Sequence, residues 1–242
     1  MPPGTPLGYG DARWTLPPGT VVVKTFYVPR GAGRQVIETR LLVREGDGLR
    51  AGTYVWNAAQ DDAVCSGGNL DVTTETGYFH VPGTSQCMEC HDDHALGLRT
   101  PQLNVPGQID QLAALGLVAN VAPAPRPALA DPAGDAPLEE RARSYLDANC
   151  GHCHDRDGAA AKTHLFLDRP SADPGLCRPT PEVGGATRVI VPGHPESSAM
   201  LTRMRARDAM IRMPRGPTHV PDAQGLSLLT DWISQLSPAG CP

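Results

Sequence analysis

Aromatic residues are scarce in this chain of 242: three tryptophans, three phenylalanines and five tyrosines make up 5 % of it. Against them stand 26 glycines and 25 prolines, which imply many turns and a polypeptide core that is thin when unaided. The length allows two modest domains. A run of some 20 apolar residues is missing, which excludes a membrane-spanning helix. An excess of positive charge is missing too: the formal charge of −5 argues against nucleic acid or an anionic membrane surface as partner. No pair of carboxylates and no nucleophile arrangement stands out. Methionine is absent between Met1 and Met88, so the first third of the chain has no internal thioether to offer a metal.

What the chain does have is two copies of one pentapeptide, Cys87-Met88-Glu89-Cys90-His91 and Cys150-Gly151-His152-Cys153-His154. Cys-x-x-Cys-His is the attachment signature of c-type haem. Two thiols three positions apart lie on one helical turn, where each can add to a vinyl group, and the adjoining histidine then faces the iron as proximal ligand. Paired Cys-x-x-Cys motifs also build zinc sites, but those pairs usually stand about 15–20 residues apart. Here the gap runs from Cys90 to Cys150, too long for one compact ribbon. With eight histidines in 242 residues, one directly after each second cysteine arises by chance about once in a thousand sequences. Two covalent haem c groups are therefore expected, held by Cys87, Cys90 and His91 and by Cys150, Cys153 and His154. Two large apolar plates would also supply core volume that the aromatics do not.

The first 80 residues read as strands. Val21–Val28 and Val36–Val43 are β-branched runs separated by Gly31-Ala32-Gly33, Thr53–Trp56 follows Gly46-Asp47-Gly48, and Asp71–His80 offers one more strand into the first motif. Ile109–Val118 reads as a short apolar helix. From Ala119 to Pro137 prolines alternate with alanine, the composition of an extended linker. Asp135 is then expected to cap a helix with the apolar stripe Leu138, Ala142, Tyr145 and Leu146, which delivers Cys150. Asp222 is expected to cap a last helix with Leu229, Trp232, Ile233 and Leu236 at helical spacing.

From Leu138 onward the residues resemble a class I cytochrome c. They are Ala142-Arg143-Ser144-Tyr145-Leu146 leading into the motif, Val191-Pro192-Gly193, Arg203-Met204, Arg212-Met213-Pro214 and Trp232-Ile233. The N-terminal half, with Pro18-Gly19-Thr20, Glu38-Thr39-Arg40-Leu41-Leu42-Val43, Tyr54-Val55-Trp56-Asn57 and Leu96-Gly97 to Gln102-Leu103-Asn104, resembles an uncharacterised bacterial family that precedes such domains. A β module ending in one haem motif is also similar to the lysine cross-linked haem cytochromes and the β-type cytochromes c-prime. The expected fold is α+β. A β-rich module over 1–118 carries the first haem, 119–137 is a linker, and an all-α class I cytochrome c domain over 138–242 carries the second.

The resemblance implies Met213 as sixth ligand of the second haem. It lies 59 residues after His154, beside Pro214 and ahead of the last helix, and a thioether raises the potential by favouring ferrous iron. Met210 is the alternative, while Met200 and Met204 read as core fillers. At the first haem, His80 and Lys24 are candidate ligands, His94 stands too near His91 to reach across the ring, and an open iron is the remaining option. In an exported protein Cys177 and Cys241 are expected to form a disulfide, leaving Cys65 as a thiol.

Two functions follow. The first is electron transfer to a redox partner protein, running from the first haem to the second. The alternative is a haem enzyme, a peroxidase or an oxidoreductase of small nitrogen compounds, with its open site at the first haem. Covalent haem implies a periplasmic or extracellular location. Met1-Pro2-Pro3-Gly4 begins no basic and apolar leader, so the export signal is expected to be absent from this chain.

Overall fold

The computed structural model describes residues 1–46, 48–75, 77–91, 95–168, 173–215 and 220–237. It divides into two units, residues 1–128 and 129–242. In the first unit the order is β1 (Leu7–Gly8), β2 (Val21–Arg30), β3 (Gly33–Glu45), β4 (Gly48–Trp56), β5 (Ala63–Ser66), β6 (Leu70–Thr74), β7 (Gly77–Val81), α1 (Thr84–His91), α2 (Thr100–Leu103), α3 (Gln108–Ala114) and β8 (Val118–Ala119). The second unit holds α4 (Leu138–Cys150), β9 (Pro179–Val183), β10 (Ala186–Arg188), α5 (Ala199–Arg205) and α6 (Ala223–Gln235).

Strands β2, β3, β4 and β5 form an antiparallel meander in that order. Lys24 lies opposite Arg40 and Phe26 opposite Glu38, while Arg40 also lies opposite Thr53 on β4. Because side chains alternate across a strand, these residues share one sheet face. The segment 71–80, expected as one strand, is the β6–β7 hairpin, with Asp71 opposite His80. Trp14, Ile109 and Val118 form a separate small core. There the Trp14 indole donates to Thr100 Oγ1 at 2.9 Å, and Thr100 donates to the Gly10 carbonyl at 2.8 Å.

The proline-rich segment is fastened at both ends. Asn104 donates to the carbonyls of Arg126 and Pro127 at 2.9 and 3.1 Å, and Arg126 pairs with Asp110 at 2.7 Å. Further on, Ala130 N–H donates to Ser144 Oγ at 3.0 Å. Asp135 does not cap α4: Pro137 is the N-cap, with no side-chain hydrogen bond. Instead Arg141 reaches back to the carbonyls of Ala136 and Pro132 at 2.9 and 3.0 Å.

The expectation of an all-α class I cytochrome c domain over 138–242 is overturned. The chain is mixed, 26 % helix and 27 % strand, and the second unit contains the antiparallel pair β9–β10. The cause is local. Gly184 and Gly185 between the two strands take φ of +55° and +83°, the left-handed pair that a two-residue hairpin turn demands. Val183-Gly184-Gly185-Ala186 is thus a hairpin signal embedded between helical ones.

The core of this unit joins α4, α5 and α6 through Ala142, Tyr145, Leu146, Leu201, Leu229, Trp232 and Ile233, all at most 8 % exposed. Each such side chain contributes about 1.5–3 kcal/mol when fully buried. Asp222 caps α6 by accepting from Gly225 N–H at 3.0 Å, and its other oxygen accepts from the Tyr145 hydroxyl at 2.8 Å. Burial and that carboxylate push the Tyr145 hydroxyl well above its ordinary pKa. The ring lies so close to α6 that a Cβ on residue 225 would fall on its hydroxyl end. Among the described residues no helix is long and apolar enough to cross a membrane.

Two outcomes are expected. Gly225→Ala overpacks this contact and lowers unfolding free energy by about 1–3 kcal/mol, while Tyr145→Phe loses a hydrogen bond to a carboxylate and about 1.5–3 kcal/mol. Urea unfolding midpoints check both, and wild-type midpoints would refute the contact's role. Cys177 is disulfide-bonded; Cys241, its expected partner, lies outside the described residues. Peptide mapping without reductant should recover Cys177 linked to Cys241, and thiols at both positions would exclude it.

Candidate functional site

The first motif occupies α1. Gln86 Oε1 accepts from the Gly83 N–H at 2.8 Å, a reach-back cap that closes the start of the helix. Spacing i, i+3 puts Cys87 and Cys90 on neighbouring positions of one helix face, with Cys87 buried and Cys90 and His91 half-buried. The helix packs on β4. Under it lie Glu38, fully buried, and Thr53, 5 % exposed. Arg40 forms an ion pair with Glu38 through Nη2 and Oε1. Its guanidinium also stacks 4.2 Å over the Phe26 ring, where the Phe79 ring approaches at 6.1 Å.

Burial pushes the Cys87 thiol above its ordinary pKa, with Arg40 lowering it and Glu38 raising it, so both charges stand beside this thiol. Glu38 Oε2 and Arg40 Nε are shielded from solvent and have no hydrogen-bond partner among the described residues. Leaving such a group dry costs about 1–3 kcal/mol. A buried ion pair seldom stabilises a fold more than apolar residues of the same size. Stability therefore does not account for this pair.

Of the residues expected as candidate ligands in the first unit, His80 is held by Asp71, Nδ1 to Oδ1 at 2.8 Å, so Nε2 is the ring nitrogen that this contact does not engage. A carboxylate behind a histidine is how ligating imidazoles are commonly oriented. By strand alternation His80 projects to the hairpin face opposite Phe79, which is the residue that meets Phe26. Lys24 is exposed, its ammonium 4.9 Å from the Phe26 ring centre. His94 lies outside the described residues.

The second motif hangs from the end of α4. Helical turns continue through it: the N–H groups of Cys153 and His154 donate to the Cys150 carbonyl at 3.1 and 2.9 Å. The chain then doubles back, with Ala160 N–H on the Cys153 carbonyl at 2.9 Å and Leu167 N–H on the His154 carbonyl at 2.7 Å. Burial holds the His154 imidazole below the usual histidine range, and a hydrogen bond to the Leu165 backbone partly offsets this. Thr163 Oγ1 stands 3.5 Å from Nδ1. A neutral imidazole anchored by a backbone group is the form in which histidine binds a metal. Burial pushes the Cys150 thiol up to about 12.

Met213 is half-buried, and its N–H donates to the Arg203 carbonyl at 3.0 Å. Arg203 in turn donates from Nη1 to the Ile211 carbonyl at 3.0 Å, so this loop is fastened to α5. Met210 is 80 % exposed, whereas Met200 and Met204 pack on the core. Trp232, 3 % exposed in the core that Cys150 adjoins, carries an Nε1–H with no acceptor among the described residues.

Cys87, Cys90, Cys150 and Cys153 all remain thiols, as does the exposed Cys65. The Glu38–Arg40 pair was missed by inspection of motifs alone. Its signal is Glu38-Thr39-Arg40 inside the apolar run Val36–Val43, where alternation sends both charges to the side of the buried Leu42. Compared with family models, curated proteins and solved structures, the chain matches none.

Proposed function

We propose that this chain is a dihaem c-type cytochrome that passes electrons to a redox partner protein. The observation that carries the reading is the pair of complete Cys-x-x-Cys-His motifs, each on helical turns with its two thiols spared from disulfides while Cys177 is bridged. Cys87, Cys90 and His91 would hold one haem, and Cys150, Cys153, His154 and Met213 the other. Bound there, haem c supplies a one-electron iron couple whose potential the axial ligands set.

The chain's own contribution is to position and tune. The Leu165 backbone and Thr163 aim the His154 imidazole, and the Arg203 hydrogen bonds hold the Met213 backbone in place. The Trp232 indole is buried in the core that Cys150 adjoins, and its N–H has no acceptor among the described residues. The first centre has no thioether in its module beyond Met1 and the motif's own Met88. Its potential is accordingly the lower, which favours passage from the first centre to the second. The mild acidic balance suits a basic partner surface. The bridge at Cys177 accords with the oxidising compartment in which covalent haem is installed.

Mass spectrometry of the denatured, matured chain is expected to show two haems; one haem, or zinc in their place, would overturn the reading. Met213→Ala is expected to remove the sulfur-to-iron charge-transfer absorption. It should also lower the higher of two potentials by on the order of 0.1–0.3 V, a fraction of the ≈ 0.8 V that axial ligands span. Persistence of the band would move the ligand to another residue.

A further inference from the structure

The buried charges under α1 have a use that electron relay does not require. Glu38 is fully buried on β3, its Oε1 engaged by Arg40 and its Oε2 unengaged among the described residues; Arg40 Nε is likewise shielded and unengaged. The pair thus presents one acceptor and one donor side by side, stiffened by the Phe26 ring under the guanidinium. It is also beside Cys87.

We propose that Glu38 and Arg40 form the polar wall of a binding site for a small exogenous ligand at the first haem centre. The ligand class is a molecule of two or three heavy atoms that binds iron at one end and both donates and accepts a hydrogen bond at the other. This rests on the dihaem reading above. Three observations favour such a ligand over an internal one. The module has no methionine available, His80 projects to the face of its hairpin opposite Phe79, and Lys24 is exposed. A haem propionate is a poor candidate to complete the pair. Thioether attachment places Cys87 at the vinyl edge of the macrocycle, and the propionates leave from the opposite edge. A donor and an acceptor held in a dry pocket discriminate strongly among ligands, because the wrong one leaves both unsatisfied.

The test uses the full chain with both haems attached, as verified by mass, and probes it with carbon monoxide in the ferrous state and cyanide in the ferric state. Wild type is expected to bind one carbon monoxide per two haems. Arg40→Lys keeps the charge but loses the Nε donor; it should shift the infrared C–O stretch and weaken cyanide at least tenfold, the loss of about one charge-assisted hydrogen bond. Glu38→Gln should shift the same band. His80→Ala should leave both readouts unchanged. The proposal fails if the doubly loaded wild type binds no carbon monoxide, if His80→Ala is what opens the site, or if Arg40→Lys leaves stretch and affinity as they were. A chain that carries no haem would instead sink the dihaem reading itself, and with it this site.

Discussion

The contact of Tyr145 with α6 is what the second motif depends on. Tyr145 lies five residues before Cys150 on α4, and its hydroxyl is tied to the residue that caps α6. One hydrogen-bonded phenol therefore sets both the seat of the helix that carries the thiols and the start of the helix that closes the core. The absence of a Cβ at Gly225 lets the ring in. In a chain with so few aromatics a single well-placed ring carries more of the packing than it would elsewhere, since burial gain scales with area.

The first motif is seated on a different principle. Its helix lies over a sheet face that includes a carboxylate and a guanidinium as well as apolar side chains. Placing charge in an interior costs several kcal/mol per ion before pairing repays it. The two thiols nearest the two cores reflect this contrast: Cys150 is perturbed by burial alone, whereas Cys87 is perturbed by burial and then by Arg40 and Glu38. One motif is set in an apolar surround and the other against a polar wall. Two centres with the same attachment chemistry would in this way acquire different electrostatics from the protein alone.

Much of the local structure was legible in residue order. Strand runs at Val21 and Val36, the helix leading to Cys150, and Asp222 as the cap of α6 all follow from side-chain periodicity and capping chemistry, which act over a few residues. The β9–β10 hairpin has its signal in Gly184-Gly185, which the all-α expectation for residues 138–242 passed over. Asp135 failed as a cap because a cap is decided by where the first turn begins, and Pro137 begins it.

The sequence by itself determined the chemistry that each motif can perform, because thiol spacing and the adjoining imidazole are properties of five consecutive residues. It also determined the strand runs at Val21 and Val36 and the helices that lead to Cys150 and follow Asp222. Only the tertiary structure decided what surrounds the motifs: the charges beside Cys87, the backbone anchor of His154, the side of the hairpin on which His80 projects, and the unengaged indole of Trp232. Those depend on which strands pair and which helix covers which face. Such long-range registers are set by the summed burial of many side chains and are written in no single stretch of residues.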